Sequence, residues 1–240
     1  MIVKSQIKLI RSLHQKKYRN QYGLFFVEGM KTVQELLNSN FEVHQVYTTE
    51  PDLFELSEGN LTRISEVEMK KISALATPNN VLAVFKIPRA RKIHFNDWVV
   101  ALDDIRDPGN LGTIIRLCDW FGIEHVVCSS NTVDCYNPKV LQATMGSISR
   151  INIGYNDLTN FLQNAKVPIY GTFMGGDVVY DVDLPKSGIL VMGNEAKGIS
   201  IDNEVFISKK VGIPQFGKPT AESLNVATAT AILLNELRRG

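Results

Sequence analysis

WVVALDDIRDPGNLGTIIRLCDWFGIEHVVCSS, residues 98–130, is the stretch that decides the architecture. WVVALDDI at 98–105 is an apolar run ending in acids, as a strand buried on both faces requires, and HVVCSS at 125–130 is a second. Between them LGTIIRLCDWFG at 111–122 has helical period: Leu111, Ile114, Ile115, Cys118 and Phe121 fall on one arc, and Arg116 points away from it. A Pro-Gly turn at 108–109 precedes the helix, which is expected to open at Asn110 or Leu111 with Asn110 as its N-cap. Strand, helix, strand of this kind is a parallel unit. The apolar runs IYGTFM at 169–174 and GILVMG at 188–193 extend it into a mainly parallel sheet with helices on both faces, where ligands bind at the carboxyl ends of strands.

Upstream, the same alternation runs on a smaller scale. LFFVEG (24–29), FEVHQVYTT (41–49), LTRIS (61–65) and NNVLAVFKI (79–87) read as strands, and MKTVQELLNS (30–39) and EVEMKKISAL (66–75) as helices. Together they make a small α/β domain. KIPRARK, residues 86–92, joins a proline to four basic residues with almost no apolar content and reads as a linker. The division is therefore a first domain over 1–88, a linker over 89–96 and a second domain over 97–240. The fold class is α/β.

Composition narrows the function classes. The chain has 240 residues, 44% hydrophobic and 21% charged, which excludes disorder, collagen and coiled coil. Its apolar runs are a few residues long against the ~20 of a membrane-spanning helix, and IKLI near the amino terminus is too short for the core of a signal peptide. Cysteines 118, 128 and 135 are odd in number and form no CxxC pair, and the four histidines are scattered. Neither a disulfide framework nor a metal site is expected, and the cytoplasm is the expected compartment.

The net charge of +1 hides an asymmetry: residues 1–92 hold 14 Lys and Arg against 9 Asp and Glu, and residues 93–240 hold 12 against 16. Within the first 27 residues Lys4, Lys8, Arg11, Lys16, Lys17 and Arg19 face no acid. A polyanion would find its footprint there, since each neutralised phosphate releases counterions. The plainer reading is a solvated amphipathic helix with Ile7, Leu9, Ile10 and Leu13 on or near its buried side.

Polar chemistry gathers in two further places. ILVMGNEAKGIS, residues 189–200, breaks an apolar strand at Gly193 and puts Glu195 on the loop that follows; a tight turn with a surface glutamate fits equally. VGIPQFGKPTAESLNVATATAILLNELRR, residues 211–239, ends a strand at Pro214, loops to Glu222 and opens a helix near Ser223. Ser223 and Asn225 then lie at the positive end of that helix, where an anion or an ordinary N-cap serine is accommodated. The GNLG stretch lacks the GxGxxG spacing of a dinucleotide site.

In this order and spacing the three stretches resemble the motifs of the SpoU/TrmH family of RNA 2′-O-ribose methyltransferases, in the SPOUT superfamily. NLGTIIR, MGNEAKGIS and IPQFGKPTAESLNVATATAILLNELRR correspond to the family's N-x-G-x-x-x-R, M-G-x-E-x-x-G-I and I-P-x-x-x-x-x-S-L-N-V-x-x-A patterns. FFVEGMKTVQELL and VLAVFKIP, in the first domain, are similar to the L30e-like substrate-binding domain of many members.

The resemblance implies a carboxy-terminal SPOUT α/β-knot with a deep trefoil knot, a homodimer with its site near the interface, and S-adenosylmethionine as cofactor. It implies an RNA substrate, ribosomal or transfer, and the L30e-like domain leans towards ribosomal RNA. Asn110, Arg116, Glu195, Ser223 and Asn225 match the family's functional positions, and Gly193, Ile213 and Leu224 its cofactor loops, with Met192 and Thr172 as neighbours. Ala196 stands where glycine is common, and the loop from Gly217 to Ser223 is longer than in many members.

Methyl transfer to a ribose hydroxyl is an in-line displacement that needs alignment and loss of the hydroxyl proton, and no metal. A guanidinium is a poor proton acceptor, so the expected role of Arg116 is to stabilise the developing alkoxide and clamp the adjacent phosphate. Ser223, Asn225 and Asn110 are expected to orient the ribose, and Glu195 to hold Arg116 or a neighbouring loop. The alternatives are a non-catalytic RNA-binding protein of the same fold and an enzyme acting on a small molecule or protein.

Overall fold

The computed structural model describes residues 2–54, 58–217 and 222–239. In chain order the elements are α1 (Lys4–Ser12), α2 (Lys16–Tyr22), β1 (Leu24–Glu28), α3 (Met30–Leu37), β2 (Val43–Thr48), β3 (Leu61–Arg63), α4 (Glu66–Ile72) and β4 (Val81–Lys86). There follow β5 (Val99–Leu102), α5 (Pro108–Trp120), β6 (His125–Ser129), α6 (Pro138–Thr144), β7 (Asn152–Asn156) and α7 (Leu158–Gln163). The last are β8 (Ile169–Val178), β9 (Ile189–Met192), α8 (Ile201–Glu204), β10 (Lys209–Gly212) and α9 (Val226–Arg239). Two compact units contain them: Met1–Arg89 with Asp134–Ser149, and Ala90–Val133 with Arg150–Gly240.

The first unit is built on a mixed sheet of order β1-β4-β2-β3, in which only β2 and β3 run parallel. Alternate residues of β1 and β4 supply two buried faces, which is why LFFV reads as an unbroken apolar run. Leu24, Phe26, Leu82 and Val84 join Ile10 and Leu13 from the α1 end of the chain and Met69 and Ile72 of α4 in one core, with Ile7 and Leu9 packed against it. On the other face Phe25 packs on Phe85 and, at 4.7 Å between ring centroids, on Tyr136 of the segment that returns from later in the chain.

The basic amino terminus folds as two short helices. Lys4, Lys8, Arg11, Lys16 and Lys17 are exposed, but Arg19 is buried, 2% exposed. Its guanidinium donates to Asp134 Oδ2 from Nε at 2.9 Å and from Nη2 at 2.5 Å, and to the Leu13 carbonyl from Nη1 at 2.7 Å. Arg19 is therefore withdrawn from any polyanion footprint, because a desolvated guanidinium needs its partners inside the protein.

The second unit holds a six-stranded sheet, order β10-β8-β9-β5-β6-β7, parallel throughout. Buried Val99, Ala101, Val127, Ile189 and Val191 form its core with Leu158 and Leu162 of α7. Chain order reverses at β5: β6 lies on one side and β9 on the other. Loops leaving the carboxyl ends of β5 and β9 therefore face each other across a crevice, as open parallel sheets require.

Two helix starts differ from expectation. Asp107 is the N-cap of α5, its side chain accepting from Asn110 N at 2.8 Å, with Pro108 in the first turn, so Asn110 is not the cap. The reason is chemical: an Asp before a proline meets the cap geometry and the missing N–H at once. The last helix begins at Val226, not near Ser223, and Asn225 Oδ1 accepts from Ala227 N at 2.9 Å and Thr228 N at 3.3 Å. At its far end Arg238 forks onto Asp97 and donates to the Phe121 and Gly122 carbonyls that follow α5. The Arg238 guanidinium, hydrogen-bonded to it, holds the Asp97 carboxyl below its usual range.

Candidate active site

Three loops from distant parts of the chain meet at the carboxyl edge of the parallel sheet through Glu195 and Asn110. Glu195, on the loop after β9, accepts from Asp107 N at 3.2 Å and Asn110 Nδ2 at 3.1 Å through Oε1, and from Arg106 N at 3.4 Å through Oε2. Asn225, at the mouth of α9, donates from Nδ2 to Asn110 Oδ1 at 2.8 Å. Glu195, Asn110 and Asn225 are thus one continuous hydrogen-bonded chain. The negative charge of Glu195 also lies at the amino end of α5, beside its N-cap Asp107, which the helix dipole favours.

A second set of bonds fixes the loops themselves. Asn194 donates to the Asp104 carbonyl at 2.7 Å, while its Oδ1 accepts from Ala196 N and Lys197 N at 3.0 Å each. Asp103 Oδ2 accepts both the N–H and the hydroxyl of Ser200 at 2.8 Å, tying the end of β5 to the loop after β9. Gly193 has to be glycine: a Cβ there would lie 2.3 Å from the backbone of Gly198 and Ile199. Ala196, the departure from the family pattern, is exposed on this loop.

Beside this edge is a cavity of about 360 Å³ lined by Thr172, Ile213, Glu222, Ser223 and Leu224 and walled by Val178, Val211 and Leu233. Its size is that of a small-molecule site. The lining fits S-adenosylmethionine by the chemistry of its donors: an apolar wall for an aromatic base, hydroxyls of Thr172 and Ser223 for polar edges, and the Glu222 carboxylate for a cationic ligand.

The expected site residues divide cleanly. Asn110, Glu195 and Asn225 are joined, and Thr172, Ile213, Ser223 and Leu224 share the cavity. Met192 is buried as the last residue of β9, and it and Gly193 shape the loop without lining the cavity. Arg116 lies on the exposed face of α5, about 9 Å along the axis from Asn110, and makes no hydrogen bond or ion pair among the described residues. Of the two partners expected for Glu195, the structure has the neighbouring loop. Residues 218–221, in the longer loop, lie outside the described residues.

Sequence reasoning missed Asp107, Asn194 and Asp103. The D-P-G run at 107–109 carried the signal for the first; nothing local signals the other two.

Among the described residues one cluster could hold a metal ion: His94, Glu124 and His125, with ligand atoms within 4.8 Å of one another. Its hydrogen bonds oppose that use. Arg91 fixes the Asn152 amide through its N–H at 2.8 Å and carbonyl at 3.0 Å, so Asn152 Nδ2 donates to His125 Nδ1 at 2.9 Å. The imidazole proton is then on Nε2, the nitrogen left for a metal. Burial and the neighbouring His94 push the His125 pKa down.

Comparison with known proteins agrees with this geometry. Residues 97–235 match the SpoU rRNA Methylase family, and residues 4–83 the MRM3-like substrate binding domain. The chain is 31% identical, over 97% of its length and 96% of the relative's, to the 23S rRNA (guanosine(2553)-2'-O)-methyltransferase RlmP of Bacillus subtilis. Among solved structures it superposes on a TrmH-family protein from Porphyromonas gingivalis with a TM-score of 0.93 and 36% identity, covering 100% of this chain and 99% of that one. An AdoMet-bound rRNA methyltransferase from Sinorhizobium meliloti gives a TM-score of 0.88 and 31% identity, covering 100% and 96%. With its parallel SPOUT-type sheet, its three joined motifs and its separate amino-terminal unit, the chain belongs to the SpoU family of RNA methylases.

Proposed function

We propose that the protein transfers a methyl group from S-adenosylmethionine to a ribose 2′-hydroxyl of ribosomal RNA, with Asn110, Arg116, Glu195, Ser223 and Asn225 as its working side chains. The observation that carries this reading is the Asn225–Asn110–Glu195 chain, which gathers three separate motifs beside a cavity of cofactor size. When bound, S-adenosylmethionine supplies an electrophilic methyl group on a sulfonium. Thr172, Ile213, Ser223 and Leu224 hold it, and Gly193 and Met192 shape the adjoining loop.

The carboxamides of Asn110 and Asn225 have their orientation set by each other and by Glu195, so they meet a ribose with little reorganisation. Arg116, without a partner among the described residues, neutralises charge as the 2′-oxygen attacks and grips the neighbouring phosphate. The hydroxyl proton passes to water, which reaches this exposed edge. No metal takes part.

Ribosomal RNA is favoured over transfer RNA because residues 4–83 match the MRM3-like substrate binding domain and a relative aligned over nearly the full length is named as a 23S rRNA methyltransferase. The division at 1–88 and 97–240, with Asp134–Ser149 packed in the first unit, gives RNA binding to the first part and chemistry to the second. A homodimer is supported by exposed Trp120, 83%, and Phe216, 89%, which a lone subunit leaves in water. A cytoplasmic setting suits the three free cysteines. Mapping 2′-O-methyl groups in RNA from cells lacking the protein tests the substrate: one ribosomal site should be lost, and loss of a transfer RNA site alone overturns the assignment.

A further inference from the structure

We infer that Arg106 is a second phosphate-binding residue of this site, a guanidinium aimed in advance at the RNA backbone next to the methylated ribose. The inference rests on the reading of the protein as an RNA methyltransferase and goes beyond it by adding a residue that lies outside the family motifs. Asp104 has a left-handed backbone, φ 60°, rare for a side-chain-bearing residue. That conformation is held from both sides: Asp104 N donates to Ser129 Oγ at 2.8 Å, and its carbonyl accepts from Asn194 Nδ2 at 2.7 Å. Ser129 is fixed in turn by Thr132, at 3.0 Å.

The product of this bracing is a fork. Arg106 Nε and Nη2 donate to the two carboxylate oxygens of Asp104 at 3.0 and 2.9 Å, and this pairing raises the Arg106 pKa. The arginine is nonetheless 67% exposed. The bracing fixes the loops and sets the Asp104 backbone, but it does not require the fork, since an exposed ion pair between residues two apart contributes little to stability. The fork is explained if its purpose is aim. Gripping one edge of the guanidinium leaves Nη1 and the outer edge of Nη2 for a bidentate ligand, and phosphate matches that edge. The location fits as well, since Arg106 N shares the Glu195 carboxylate with Asp107 N and Asn110 Nδ2.

The test uses the full chain and a ribosomal RNA fragment that the wild type methylates. Arg106→Ala should raise the RNA KM about tenfold, the loss of one charge-assisted contact. It should also lower the slope of log affinity against log salt by about 0.7–0.9. S-adenosylmethionine affinity and the thermal midpoint should stay at wild-type values. Arg106→Lys should recover the slope and only part of the KM. Asp104→Asn keeps a residue that tolerates the left-handed backbone but releases the fork; it should raise KM while leaving the slope unchanged. An Arg106→Ala protein with wild-type KM and slope overturns the inference, as does one whose loss comes with weakened cofactor binding or a lowered midpoint. If the wild type methylates no RNA, it is the functional reading that fails.

Discussion

Replacing Glu195 separates geometry from charge at the heart of the site. Its carboxylate accepts four N–H groups: Asp107 N at 3.2 Å and Asn110 Nδ2 at 3.1 Å on one oxygen, Arg106 N at 3.4 Å and Asn194 Nδ2 at 3.5 Å on the other. Glu195→Ala removes all four. The group is exposed, so each of the two shorter bonds is worth about 0.5–1 kcal/mol, and the charge at the α5 amino end adds ~0.5 kcal/mol. The folded state should therefore lose about 2 kcal/mol, a modest change read by denaturant unfolding. Activity should fall further: with Asn110 no longer held, the ribose contacts drift, and a misplacement near 1 Å costs ~10²-fold. Glu195→Gln should behave differently. Its amide oxygen can keep the two shorter bonds, while its NH₂ faces the donors Arg106 N and Asn194 Nδ2, so the single-turnover rate should fall only ~10-fold by the same positional argument. Equal losses for Ala and Gln would mean that charge, not position, is what Glu195 supplies. An alanine variant with a wild-type single-turnover rate would refute the positioning role.

Arg116→Ala should lower single-turnover methylation by about 10² or more, the ~3 kcal/mol of a single electrostatic donor, with unchanged folding because the side chain is exposed. Arg116→Lys should recover little, since a point charge lacks the forked geometry; a near-normal lysine rate would remove the clamp. The basic amino terminus should divide in two. Reversing Lys4, Lys8 and Arg11 should weaken RNA binding and flatten its salt dependence, whereas Arg19→Ala should cost about 3–5 kcal/mol of folding stability by stranding Asp134, measured by unfolding and not by RNA titration. At the Asp97–Arg238 pair the carboxyl is held below its ordinary 3.8, so its contribution is present above that pH and vanishes as the pH falls through the lowered value. Wild type and Arg238→Ala should therefore differ in denaturant midpoint near neutrality and converge in strong acid; a gap that widens on acidification contradicts the assignment.

Periodicity made the parallel sheet legible, because strands buried on both faces leave apolar runs such as WVVALDDI and GILVMG that no surface segment could carry. It also left Arg116 correctly off the buried arc of α5. What periodicity does not encode is the partner. Arg19 sits among lysines in a stretch that reads as solvated, and only an acid 115 residues away explains its burial. The segment Asp134–Ser149 follows β6 in sequence but packs in the first unit, where Tyr136 covers Phe25. An apolar face announces that it needs covering without saying by what. At the site the motifs named Asn110, Glu195 and Asn225 separately; that they form one hydrogen-bonded chain depends on two loops turning towards each other at the ends of β5 and β9, which local sequence does not contain.

The central claim is transfer to a ribose oxygen, and that oxygen leaves a chemical trace. A 2′-O-methyl group blocks alkaline cleavage of the adjacent phosphodiester, because the neighbouring hydroxyl that would attack it is gone. Ribosomal RNA lacking the modification, incubated with the protein and S-adenosylmethionine labelled in its methyl group, should yield label in an alkali-resistant dinucleotide, with Arg116→Ala as the inactive control. Label released in a mononucleotide would put the methyl group on a base and contradict the account.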